Sequence, residues 1–167
     1  MRSAKIAGVI AGIILAGVAG LAQTETEDGA TVLPSLVINE IEINPPGRDA
    51  DSEWVELLNV GNAPIDVAGW RITYSYRATG AFVLSETPRS IPPGGRMVFV
   101  YPGIRLRNGT ANVVQLLDAE GVLIDQTPML KDVANDARTW QRIPDGGNAE
   151  VPELWLLVEE TRDRSNT

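Results

Sequence analysis

The 167-residue chain is 44% hydrophobic and carries a formal charge of −8, which suits one packed domain and opposes binding to a phosphate backbone. It has no cysteine, so disulfide frameworks and thiolate chemistry are excluded. It has no histidine either, which removes the usual general base, the usual zinc sites and any Ser-His-Asp or Cys-His catalyst built from this chain alone.

In chain order, Arg2 and Lys5 precede an uncharged run from Ile6 to Ala22 that is rich in Ala, Gly, Ile and Val. Gly20 and Ala22 are small residues spaced for signal peptidase just before Gln23. Residues 1–22 therefore read as a signal peptide. Uncleaved, the run is near the lower limit of about 17 residues for a spanning helix and would be a membrane anchor. Cleavage would remove two positive charges, taking −8 to −10. Residues 23–35 (QTETEDGATVLPS) are polar and acidic without periodicity, and are expected to be a flexible linker.

From Leu36 onward the apolar segments are short, and 16 Gly and 11 Pro across the chain punctuate them rather than forming repeats. Strands are expected at LVINEIEI (36–43), EWVELLNV (53–60), WRITYSY (70–76), RMVFVY (96–101), NVVQLL (112–117), GVLIDQ (121–126), TWQRI (139–143) and LWLLV (154–158). Turn chemistry separates them: Asn44-Pro45-Pro46-Gly47, Gly61-Asn62, Pro92-Pro93-Gly94-Gly95, Asp118-Ala119-Glu120 and Pro144-Asp145-Gly146-Gly147. Only the stretch from Met129 to Asp136 offers room for a helical turn. The pattern predicts an all-β sandwich or barrel over residues 36–158, with a C-terminal tail at 159–167. Trp54, Trp70, Trp140 and Trp155 sit in or beside predicted strands, where each can bury a large area.

Asp49, Asp51 and Glu53 alternate in RDADSEW and are the candidate Ca²⁺ ligands. Ca²⁺ takes six or more oxygens and only three are visible, and the Gly and Glu of an EF-hand loop are replaced by Trp54 and Val60. A solvated loop is the better reading, and no cofactor is expected. Glu40, Glu53 and Glu56 could form an acid–base pair of the glycosidase kind, but no sugar cleft is indicated. Arg71, Arg96, Arg105, Arg107, Arg138 and Arg142 lie in or near strands, Arg105 and Arg107 alternating. They could bind an anion, but pairing with the excess acids on the sandwich surface is the expected role. Asn108-Gly109-Thr110 is an N-glycosylation triplet, expected at an exposed loop tip.

The ordered series of motifs resembles the lamin-tail domain family, in its exported prokaryotic branch. The residues carrying the likeness are Ile38-Asn39-Glu40-Ile41, Glu53 to Asn59, Asn62 to Pro64 and Val67-Ala68-Gly69-Trp70. Pro93-Gly94-Gly95 before Met97 to Val100, Val114 to Asp118 with Gly121 to Asp125, and Thr139 to Arg142 with Pro144-Asp145-Gly146 continue it to the end of the chain. Arg162-Asp163-Arg164 departs from the small Pro/Gly-type turn usual there. The resemblance implies an immunoglobulin-like β-sandwich, here preceded by the signal or anchor helix, in which Glu40, Glu53 and Glu56 bind loop main-chain N–H groups. It also implies a non-enzymatic binding or structural module of the cell envelope or exterior, whose partner is an envelope protein or glycan. The membrane is reached through the N-terminal segment if that is retained. Two other readings are a hydrolase using carboxylates and a metal at the Asp49–Glu53 loop, and a binder of an anionic polymer, nucleic acid or glycan, which the acidic balance disfavours.

Overall fold

The computed structural model describes residues 35–74, 80–102, 106–148 and 151–166. The signal or anchor helix, nearly all of the linker, Ser75-Tyr76 and Arg105 lie outside the described residues. The strands are β1 (Leu36–Glu42), β2 (Trp54–Asn59), β3 (Ile65–Asp66), β4 (Arg71–Tyr74), β5 (Gly80–Val83) and β6 (Ser90–Ile91). They continue as β7 (Arg96–Val100), β8 (Val114–Leu117), β9 (Leu123–Gln126), β10 (Arg138–Arg142) and β11 (Trp155–Glu159). One sheet has the order β11-β10-β1-β2-β7, a second β5-β4-β8-β9, and β3 and β6 form a separate pair. All strand pairings are antiparallel. The inner faces of the two larger sheets share one core, in which Ile38, Ile41, Val55, Leu57 and Phe99 meet Ile72, Val114 and Leu116. This two-sheet, all-β arrangement is consistent with an immunoglobulin-like sandwich.

Strand β1 shows how sequence sets the faces. Ile38 and Ile41 are both fully buried in the core, although strict alternation would turn residues three apart to opposite sides. The register shifts between Ile38 and Glu40, leaving Asn39 as the extra residue of a bulge. The bulge restores Ile41 to the core face and puts Glu40 opposite Glu56 and Glu42 opposite Trp54 on the other face.

The turn signals sit where the chain reverses. Asp118 Oδ1 and Val122 O close the β8–β9 hairpin with the N–H groups of Val122 and Asp118. Gly69, at φ +75, takes a backbone shape that a side chain resists, and a Cβ there would also lie 3.2 Å from Ala119. The 129–136 stretch is not helical; Leu130 bridges to Asn112 instead, and a one-turn 3₁₀ helix lies at Pro152–Leu154. Proline at its first position is pre-set for such a turn.

The C-terminal residues are not a separate tail. Glu159 completes β11, and Thr161 to Arg164 form a turn closed by Arg164 N–H to Thr161 O at 2.7 Å. Asp163 stands at φ +59, where the small Gly-type turn would have been easy. The segment 160–166 then lies as a strap against the outer face of the five-stranded sheet.

Candidate functional site

The outer face of that sheet is polar yet buried. Glu40, Glu42 and Glu56 are almost wholly covered, as are Asn39, Thr139 and Gln141. Facing glutamates repel and lose hydration, so each needs donors to be tolerated. The strap supplies several. Thr161 N–H donates to Glu40 Oε1 at 2.9 Å and Thr161 Oγ1 to Glu40 Oε2 at 3.0 Å. Asp163 N–H donates to Glu56 Oε2 at 2.7 Å. Thr139 Oγ1 gives Glu40 a further bond of 2.6 Å, and Asn39 Nδ2 reaches Glu56 Oε1 at 3.3 Å. Asn166 Nδ2 donates to the carbonyls of Asn39 and Arg142, both at 2.9 Å. The Arg162 guanidinium lies 4.4 Å from the centre of the Trp54 ring, a cation–π contact. Arg96 closes one side, bridging Glu56 and Asp145.

Burial pushes the Glu42 carboxyl up to about 8, with Asp132 and Glu160 adding to the rise and the Asn44 N–H and Arg162 opposing it. Burial raises Glu56 to about 7 against the Asp163 N–H, the Asn39 amide and Arg96. Unfolded, both groups titrate near an ordinary glutamate value of about 4.3. Between that value and 7 to 8 the folded chain holds more protons than the unfolded one. Their contribution to stability is therefore greatest in acid and is lost as pH rises through that window.

A second polar cluster joins the two sheets. Asp125 of β9 and Arg142 of β10 are both buried, with Arg142 Nη2 donating to Asp125 Oδ2 at 2.6 Å. Ile38 N–H donates to the same oxygen at 2.8 Å. This fills the stretch where β1 has no β10 partner, since that pairing begins only at Glu40. Arg142 Nη1 also donates to Gly147 O at 2.8 Å, and its guanidinium lies 5.1 Å from the Trp155 ring centre. Burial works against the charged form of both partners, and their mutual attraction and these donors work for it.

Comparison with known proteins fits these two sheets. The model of the Lamin Tail Domain family matches residues 30–129. The chain belongs to that family. No curated protein matches it.

The matched stretch of this lamin tail domain takes in β1 to β9, hence Glu40, Glu42, Glu53, Glu56 and Asp125, and ends at Met129. Arg142 and the strap, to which the sequence likeness was also carried, come from beyond it. Glu40, Glu53 and Glu56 bind main-chain N–H groups as the resemblance implies, taking those of Thr161, Leu106 and Asp163, and Glu42 takes that of Asn44. That β1 carries Glu40 and Glu42 and β2 carries Glu56, with Glu53 just before it, was readable from the strand pattern. The identity of their donors, more than a hundred residues away for Glu40 and Glu56, was not.

Asp49, Asp51 and Glu53 do not converge. The Asp49 carbonyl accepts the Ser52 and Glu53 N–H groups, its Oδ2 accepts from Asn108 Nδ2 at 3.1 Å, and Asp51 sits exposed at φ +61. Glu53 turns inward, where its Oε2 accepts the Leu106 N–H at 2.8 Å. Among the described residues no three such groups are placed to hold a metal ion. Asn108 is half-buried rather than at an open tip. Its Nδ2, the atom a glycan would occupy, donates to Asn44 Oδ1 at 2.8 Å as well as to Asp49. Of the arginines, Arg138 pairs with Asp136 at the surface as expected. Arg142 pairs inside instead, Arg96 takes Glu56 and Asp145, and Arg71 donates to Ala119 O.

Proposed function

We propose that this lamin tail domain is an exported, non-enzymatic binding or structural module that acts at the cell envelope or outside it, without a resident cofactor. The observation that carries the reading is the use of its carboxylates. Glu40, Glu53 and Glu56, the residues from which acid–base chemistry would have to be built, each hold a main-chain N–H of their own chain. A carboxylate filled by such donors is positioned to hold loops, not to move a substrate proton. Asp125 is likewise engaged by Ile38 and Arg142. The arginines also support this reading over anionic-polymer binding: Arg96, Arg138, Arg142 and Arg162 face carboxylates of the chain itself.

Export rests on the basic start, the apolar run to Ala22 and the small residues before Gln23. The partner class is an envelope protein or glycan, met through loops and sheet edges. Fractionation of the native host with N-terminal sequencing tests the reading. The protein is expected in the envelope or the medium, beginning at or near Gln23 if cleaved and at Met1 if anchored. Recovery wholly from the cytosol with Met1 intact would contradict it.

A further inference from the structure

The strap lies on the outer face as a bound turn would lie on a receptor. Its Thr161 and Asp163 N–H groups, two residues apart, meet Glu40 and Glu56, which face each other across β1 and β2. Arg162, between them, covers the indole of Trp54, itself only 1% exposed. Asn166 fastens the far end to the carbonyls of Asn39 and Arg142, and Ser165 Oγ lies 3.3 Å from Arg96 Nη2. We propose that this face is a recognition groove for an arginine-bearing peptide turn, filled in cis by residues 160–166. The inference rests on reading the chain as a binding module and names the kind of partner segment that one face receives.

Three observations favour an exchangeable cover over a fixed part of the core. First, what lies beneath is mostly polar. Lifting an apolar cover exposes core to water, whereas lifting this one returns Glu40, Glu42 and Glu56 to a solvent that hydrates carboxylates well. Trp54 is the apolar exception, and it anchors the occupant through its ring. Second, the strap holds Asp163 at φ +59, a conformation that glycine adopts more readily than aspartate. Its shape is thus imposed by the groove as well as by its own turn bond. A competing segment with glycine at that position would bind without that cost. Third, the charges are complementary. The floor is acidic, with Glu40, Glu42 and Glu56, and the residue presented to it at the centre of the turn is an arginine. Asp132, Glu160 and Arg162 face Glu42, and Arg96, Glu40 and the Asp163 N–H face Glu56; burial outweighs the cations and donors among them, so lifting the strap rehydrates both carboxyls and rising pH favours the lifted state.

The probe is a fluorescein-labelled synthetic peptide of residues 160–167, titrated by anisotropy into the full chain. The comparison is with the full-chain variant Arg162→Ala/Asn166→Ala, whose own strap has lost its ring contact and its two carbonyl contacts while the groove residues are intact. The peptide is expected to bind the variant at least about tenfold more tightly than the parent, the worth of a cation–π contact and a hydrogen bond. A peptide carrying Asp163→Gly should bind about fivefold more tightly still, and one carrying Arg162→Ala about tenfold more weakly. No binding to a variant whose near-ultraviolet dichroism is unchanged would overturn the proposal, as would equal binding of the parent and Arg162→Ala peptides. Should the variant fail to fold, the parent decides. A shift of the Trp54 indole N–H resonance on adding millimolar Asp163→Gly peptide is expected, and its absence overturns the groove. That failure would make the strap purely structural and would not alter the expected cellular fraction or the N-terminus.

Discussion

Asp125→Asn is expected to lower the free energy of unfolding by about 3–5 kcal/mol, the usual consequence of leaving one member of a buried ion pair without its partner. The neutral amide keeps the shape of the side chain but not the charge facing Arg142, whose guanidinium is 2.6 Å away and whose residue is 1% exposed. It can also present an N–H₂ group to Ile38 N–H and so lose a second bond. Against the 5–15 kcal/mol typical of a whole domain, this loss is large. The double variant Asp125→Leu/Arg142→Met should be more stable than Asp125→Asn, because an apolar pair removes the desolvation cost of both charges. It should still fall short of the parent by about 1–3 kcal/mol, because Ile38 N–H is left buried without an acceptor. Urea denaturation of the three variants measures these differences. A single-variant loss below about 1 kcal/mol would mean that the pair does not hold the sheets together.

Trp155→Ala is expected to cost about 3–5 kcal/mol, the range for large aromatic truncations in a core. Its side chain lies in the core cluster at 3% exposure and stacks on Arg142, so truncation opens a cavity and strips one face of a buried cation. Trp70 makes the instructive comparison. Its place after Gly69 and at the head of an aromatic, β-branched run suggests a central core residue, but it is only half-buried against the core. Trp70→Ala should therefore cost less than Trp155→Ala in the same denaturation series. The reverse order would mean that the two indoles exchange the roles the packing gives them.

The contrast between those tryptophans shows where the sequence was legible. Strands such as WVELLN and RMVFV, bounded by Gly61-Asn62 and by Pro93-Gly94-Gly95, were readable because alternation and turn chemistry are local properties. The two-residue strands β3 and β6 were not, since a pair that short has no periodicity to read. Strand β5 was missed as well, its Gly80-Ala81 start carrying a weak strand signal. The bulge at Asn39 was visible in principle, because Ile38 and Ile41 share a face only if one residue between them is extra. Helical room at Met129–Asp136 was a reading of composition alone, and the bridge from Leu130 to Asn112 shows tertiary pairing deciding the matter. For the candidate site, the role of Glu40, Glu53 and Glu56 as holders of main-chain N–H groups came from the family likeness. The inward turn of Asp125 towards Arg142, and the return of Thr161 and Asp163 over β1 and β2, depend on how two sheets face each other. No spacing along the chain encodes that.

The central claim is that the carboxylates of the outer face are occupied by the protein's own C-terminal main chain. Amide hydrogen exchange at Thr161 and Asp163 measures this directly, since their N–H groups are the ones given to Glu40 and Glu56. After correction for the intrinsic pH dependence, both amides are expected at pH 6 to exchange at least about tenfold more slowly than an open chain, an opening cost above about 1.4 kcal/mol. Their protection should decline towards pH 9, as Glu42 and Glu56 ionise beneath the strap. Exchange of both amides at the open-chain rate at pH 6, in a protein whose β1 and β2 amides are protected, would contradict the claim.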